Sequence, residues 1–208
     1  MSERPEALLL LGPTGAGKTP LGDALEASGL SGRRCLHFDF GANLRGVAED
    51  GCLPSTGRPP GRLSTDDLRT IEESLRTGAL LENESFHIAR DLLLSFADQR
   101  GLAVADLLIL NGLPRHAGQA RDLDAYLEVA RLCLLECTAA VVAERLTRDT
   151  GGDRAERIDD GMDLVSRKLA IFSERTMPLV AHYEALGARV DRIPVDVDST
   201  AGHLIAQL

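Results

Sequence analysis

The run Ala7-Leu-Leu-Leu-Leu11 leads directly into Gly12-Pro-Thr-Gly-Ala-Gly17-Lys18-Thr19. A short apolar run bounded by glycine reads as a parallel strand buried on both faces. The residues after it fit the pattern G-x-x-x-x-G-K-[ST]. Glycines there let the backbone curl until successive N–H groups point at one phosphate. A following helix would add the positive end of its dipole. Lys18 is then placed to reach the terminal phosphates, and Thr19 to offer its hydroxyl to Mg²⁺. Gly12, Pro13, Thr14, Gly15, Ala16, Gly17, Lys18 and Thr19 are therefore the expected cradle for ATP and its Mg²⁺.

The rest of the chain alternates strand and helix. Further strands are predicted at Cys35 to Phe38, Asp106 to Leu110, Leu132 to Cys137 and Val190 to Val195. Helices are predicted at Gly17 to Ser28, Ser64 to Arg76, Ser85 to Gln99, Thr138 to Arg148 and Met162 to Leu186, with a last one from Ser199. Ser64 followed by Asp67 has the form of a capping box. Strands separated by helices imply an α/β fold with an open five-stranded parallel sheet flanked by helices, the P-loop NTPase arrangement. Ligands of such sheets sit at the carboxyl ends of the strands. Asp50 to Arg62, rich in Pro and Gly, reads as a loop or insertion, and Asp149 to Asp160 as a second loop.

At 208 residues the chain fits a single domain. Its formal charge of -9 argues against a nucleic-acid partner, since phosphate backbones demand a basic surface. No apolar stretch approaches the roughly 20 residues that span a bilayer. The opening MSERPE carries charges of both signs, unlike a signal peptide, so a cytoplasmic protein is expected, with no membrane partner. The cysteines Cys35, Cys52, Cys133 and Cys137 are too few and scattered for a disulfide framework. Cys133 and Cys137 would share one face of a strand. Buried free thiols are the expectation, a metal pair the alternative. The oligomeric state stays open, and a monomer fits.

A second motif narrows the function. Asn111-Gly112-Leu113-Pro114-Arg115, with Gln119 beyond it, resembles the Asp-Gly-Phe-Pro-Arg and following Gln of the adenylate kinase family of nucleoside monophosphate kinases. By that resemblance Arg115 binds the monophosphate's phosphate and Gln119 reads the adenine edge. Gly41-Ala-Asn-Leu44-Arg45 is similar to the family's Gly-Asp-x-Leu-Arg, whose Arg also binds the monophosphate. Gly78-Ala-Leu80-Leu81 is similar to Gly-Lys-Leu-Val, whose backbone lines the acceptor base. The resemblance thus implies an acceptor set of Gly41, Arg45, Leu80, Leu81, Arg115 and Gln119, on a helical insert at about 41–100.

Glu144-Arg145-Leu-Thr-Arg148 lies where the family places an Arg over the ATP base, so Arg145 and Arg148 join the donor site. Arg157-Ile-Asp-Asp160 resembles the short-lid signature, and Arg167-Lys168-Leu169 aligns with a Lys-Arg-Leu. The resemblance implies a short, zinc-free lid at about 149–160 and a core of 1–40, 101–148 and 161–208. It also implies that Lys18, Arg115, Arg157, Arg167 and Lys168 serve catalysis. The implied reaction is phosphoryl transfer from ATP to a nucleoside monophosphate, with AMP favoured through Gln119. Positioning and electrostatics would do the work, without a covalent nucleophile.

The chain also departs from the family pattern. Asn111 stands where the family has Asp, and Phe40 and Ala42 stand where it has Thr and Asp. Thr19 follows Lys18 without the family's intervening Gly, and Pro20 then suits a first helical turn. Asp39, ending a strand beside the cradle, is a candidate contact for Mg²⁺ or a substrate hydroxyl. Asn111 is a candidate contact through water. His37 and His116 read as packing residues. Two alternatives stay open. Asp39, Phe40 and Ala42 invite a P-loop kinase for another small-molecule acceptor, and Asn111 invites a catalytically weak nucleotide-binding or sensing protein of the same fold.

Overall fold

The computed structural model describes residues 4–53, 63–152 and 162–208. Its strands are β1 (Glu6–Leu11), β2 (Cys35–Asp39), β3 (Leu107–Asn111), β4 (Glu128–Glu136) and β5 (Arg189–Pro194). Its helices are α1 (Lys18–Ser28), α2 (Phe40–Asp50), α3 (Thr65–Thr77), α4 (Phe86–Arg100), α5 (Ala117–Leu123), α6 (Ala139–Arg148), α7 (Met162–Ile171), α8 (Pro178–Ala185) and α9 (Ala201–Ile205). The strands form one five-stranded sheet in the order β2-β3-β1-β4-β5. All its pairings are parallel. This is the α/β, P-loop type of fold that the sequence predicts.

The leucine run is explained by the two faces of the sheet. Ala7, Leu9 and Leu11 point into one core with Phe38, Leu110, Phe96 of α4 and Tyr183 of α8. Leu8 and Leu10 point into the other with Leu21 and Leu25 of α1, Cys133 and Leu204 of α9. With helices on both sides, every position of the central strand after Glu6 must be apolar. Among the described residues no helix is long and apolar enough to cross a membrane. Cys35 and Cys133 are buried free thiols, and burial pushes Cys133 up to about 12. No group of three or more metal-ligating side chains occurs among the described residues.

Several expectations need correction. α2 starts directly after β2, although its sequence carries two glycines that disfavour helix. Phe40, Leu44 and Val47 bury one of its faces, and Asp39 caps it by accepting from the Ala42 N–H at 2.9 Å. α5 is a further unpredicted helix, and β4 begins earlier than Leu132. The single helix expected at Met162 to Leu186 is two helices joined by a π turn at Phe172–Thr176. There the Met177 N–H reaches back to the Phe172 carbonyl at 2.9 Å. Pro178, which lacks an N–H, then opens α8. The capping box of α3 is present as predicted. The greater part of the Pro-rich loop and most of the expected lid, Arg157 included, lie outside the described residues.

A long-range ion pair ties this π turn to the segment after α3. Arg175 Nη2 lies 2.8 Å from Glu82 Oε2. The Arg175 hydrogen bond holds the Glu82 carboxyl below its usual value of 4.5, against an opposing effect of burial. Because the folded value is the lower one, the pair stabilises fully above pH 4.5 and loses that stabilisation as pH falls through the folded value. Glu82→Gln should therefore lower Tm at pH 7 by about 1–2 °C, a modest effect because both groups are largely exposed. As pH falls through the folded value the two melting curves should converge. A difference that stays constant across an acid titration would rule out the ion pair as its source.

Candidate active site

The phosphate cradle forms where β1 runs out. Gly15 has φ +77°, and a Cβ there would fall 2.9 Å from Leu146 Cδ2 of α6. Only glycine meets both conditions. Gly17, also left-handed at φ 98°, is the N-cap of α1. The backbone N–H groups of the first helical turn therefore face the cradle. Lys18 folds back over the loop, its Nζ donating to the carbonyls of Gly12 at 2.8 Å and Pro13 at 2.7 Å.

Arg145 holds this loop from behind. It is 3% exposed, and its Nε donates to the Gly15 carbonyl at 2.9 Å. Its Nη1 donates to the carbonyls of Asp196, Val197 and Ser199 at 2.8, 3.0 and 2.9 Å. A planar fork of donors can serve several carbonyls at once, which an ammonium cannot do as well. Arg145 thus joins the glycine loop to the segment before α9, and it also lines the cleft. Arg148, one turn on, is paired with Glu144 at 2.6 Å and Asp198 at 3.7 Å and stands outside the cleft lining.

The expected acceptor residues Gly41, Arg45, Leu80, Leu81, Arg115 and Gln119 line the same cleft as Lys18 and Thr19. Desolvation holds the Arg115 guanidinium below the ordinary arginine value. Neither Arg115 nor Arg45 has a hydrogen bond or ion pair from its side chain among the described residues. A desolvated cation without a counter-charge is costly, and an arriving phosphate would relieve that cost. Gln119, 1% exposed, accepts from the Arg115 N–H at 2.8 Å and donates to the Leu81 carbonyl at 2.8 Å. It braces the backbones of both acceptor segments. His116 caps α5 through Nδ1, which accepts from the Gln119 N–H, so its Nε2 carries the proton given to the Leu81 carbonyl at 3.1 Å. Of the expected lid cations, Lys168 lines the cleft beside Gly78. Arg167 is exposed, donates to the Thr77 carbonyl at 3.3 Å and is absent from the cleft lining.

A polar cluster that sequence reading missed sits beside the cradle. Asp39 Oδ2 accepts from the Thr19 hydroxyl at 2.8 Å and from Asn111 Nδ2 at 2.9 Å. Asn111 Nδ2 is also 3.0 Å from Thr19 Oγ1 and 3.4 Å from His37 Nε2. His37 Nδ1 lies 2.8 Å from Asp23 Oδ1. The sequence singled out Thr19, His37, Asp39 and Asn111 one at a time, but nothing local joins them, and Asp23 was not singled out at all.

No protein-family model matches the chain. The chain is similar over most of its length to curated adenylate kinases. One from Prochlorococcus marinus (strain MIT 9303) is 27% identical over 187 residues, 88% of this chain and 86% of the relative. One from Synechococcus sp. (strain CC9311) is 29% identical over 188 residues, again 88% and 86%. One from Xanthomonas campestris pv. campestris (strain 8004) is 28% identical over 194 residues, 89% and 90%.

Proposed function

From the adenylate kinase-like character of this chain, we propose that it is a nucleoside monophosphate kinase that moves the terminal phosphoryl group of ATP to a monophosphate, with AMP the favoured acceptor. One observation carries the reading. A single cleft is lined by the glycine loop and Lys18, which follow β1, and by Arg45 and Arg115, which follow β2 and β3. Two polyanions must meet in line for this transfer, and two such cationic groups suit them. On this reading Lys18 leaves the carbonyls of Gly12 and Pro13 for the terminal phosphates of ATP. Arg45 and Arg115 hold the acceptor phosphate, and Lys168 adds charge between the two. The stretch 41–100 serves as the acceptor-binding insert, and 149–160, with Arg157, as a lid that excludes water.

Mg²⁺ fits this site as a companion of ATP. A hydroxyl and one carboxylate, Thr19 and Asp39, are donors suited to a cation that takes its other ligands from phosphates and water. Bound there, it would neutralise charge on the phosphate oxygens.

The favoured base rests on Gln119. With one lone pair and one N–H used on backbone, its amide keeps one of each for a base edge. ADP formation from ATP and Mg²⁺ should appear only when a monophosphate is added, and should be fastest with AMP in a panel of AMP, dAMP, CMP, UMP and GMP. A panel in which no monophosphate raises the rate above the no-acceptor control would sink the kinase reading. A faster rate with another base would move the acceptor assignment and leave the reaction class standing.

A further inference from the structure

We infer that Asp39 supplies the negative charge that recruits a divalent cation together with the donor nucleotide, and that Asn111 is its positioning residue. This deepens the kinase reading and rests on it. Asp39 is the only carboxylate among the described residues that line the cleft. Its Oδ2 accepts from Thr19, the residue that the glycine-loop pattern assigns to the cation of a bound nucleotide. The negative charge therefore sits one hydrogen bond from the hydroxyl expected to face the metal.

Asn111 fixes that carboxylate. β2 and β3 are neighbours, and Asp39 and Asn111 are direct register partners at their carboxyl ends. The amide must turn Nδ2 toward Asp39, since the reverse orientation would press Oδ1 against a carboxylate oxygen. His37 agrees with this orientation. Its Nδ1 faces Asp23 Oδ1 at 2.8 Å, and the tautomer that donates there turns an acceptor Nε2 to the side of the same Nδ2. A carboxylate at position 111 could not donate to Asp39 across this 2.9 Å contact, whereas the amide does. Asparagine at this position is then the partner of a charge placed on β2, and it does not mark a site that has lost its charge.

The test is calorimetric titration of ATP into the whole chain, with Mg²⁺ and with EDTA. It compares the wild type, Asp39→Asn, and the double variant Asp39→Asn with Asn111→Asp. Asparagine keeps the cap of α2, and circular dichroism checks the fold. Wild type should bind ATP about tenfold more tightly with Mg²⁺ than with EDTA. Asp39→Asn should shrink that ratio to within about twofold while the affinity in EDTA holds. The double variant should regain most of the ratio, because the charge has only crossed one hydrogen bond. Retention of the full Mg²⁺ effect by Asp39→Asn would overturn the inference. So would an equal loss of ATP binding with and without Mg²⁺, which would mean that the carboxylate serves only the fold. A double variant no better than Asp39→Asn would overturn the pairing with Asn111. A wild type that binds no ATP in either condition is a separate outcome, which overturns the kinase reading itself and this inference with it.

Discussion

Replacing Arg115 with alanine should lower kcat/KM for the acceptor monophosphate about a thousandfold while ATP affinity stays within about twofold. The size follows from the state of the guanidinium. It is desolvated, its pKa is pulled down for that reason, and no anion offsets it among the described residues. Its charge is therefore available in full to a bound phosphate, in a setting that water screens poorly. Arg115→Lys should recover only part of the loss, because an ammonium cannot meet two phosphate oxygens with a rigid fork. Steady-state kinetics with the acceptor varied, beside ATP titration, gives the answer. An equal fall in ATP affinity would show that the substitution had disturbed the glycine loop instead. The carbonyl of Arg115 accepts from Thr176 and its N–H donates to Gln119, and these backbone contacts survive truncation of the side chain.

Lys18→Met should reduce kcat by about a thousandfold or more, through loss of a charge placed on the transferring group. The fold should tolerate it. Nζ donates to two loop carbonyls, Gly12 and Pro13, at the edge of an open cleft where water can replace it. Methionine keeps the apolar stem. The expected signature is a protein whose melting temperature lies close to wild type and whose turnover is almost gone. A large drop in melting temperature together with the rate would make Lys18 a structural residue of the loop, and would count against its proposed role on the phosphates.

Much of this was visible in the order of residues, and the reason differs from part to part. The β1 run and the glycine loop are local patterns whose physics demands neighbours in sequence, so they read directly. The capping box of α3 is local in the same way. α2 was hidden because its glycines argue against helix, and only the burial of Phe40, Leu44 and Val47 against the sheet decides the matter. α5 is short and buried on most sides, without a clear apolar stripe. The break between α7 and α8 has a signal in Pro178, which the expected long helix overrode. Arg145 was found as a cleft residue, but its grip on the carbonyls of Gly15 and of the segment 196–199 depends on contacts across the whole chain. The pairing of Asp39 with Asn111 is of the same kind. It exists only because two strands far apart in sequence share a register.

The strand order has a consequence for the direction of the chemistry. Arg45 lies on the helix after β2, Arg115 after β3, the glycine loop after β1 and Arg145 on the helix after β4. In the order β2-β3-β1-β4 these four stand in a row. On the proposed reading, the step from acceptor to donor crosses from β3 to β1, neighbouring strands about 4.8 Å apart. The sheet acts as a ruler laid across the reaction, and the reverse transfer reads the same marks from the other end. A catalyst speeds both directions alike, so on that reading the ratio of the nucleotides around it sets the net flow.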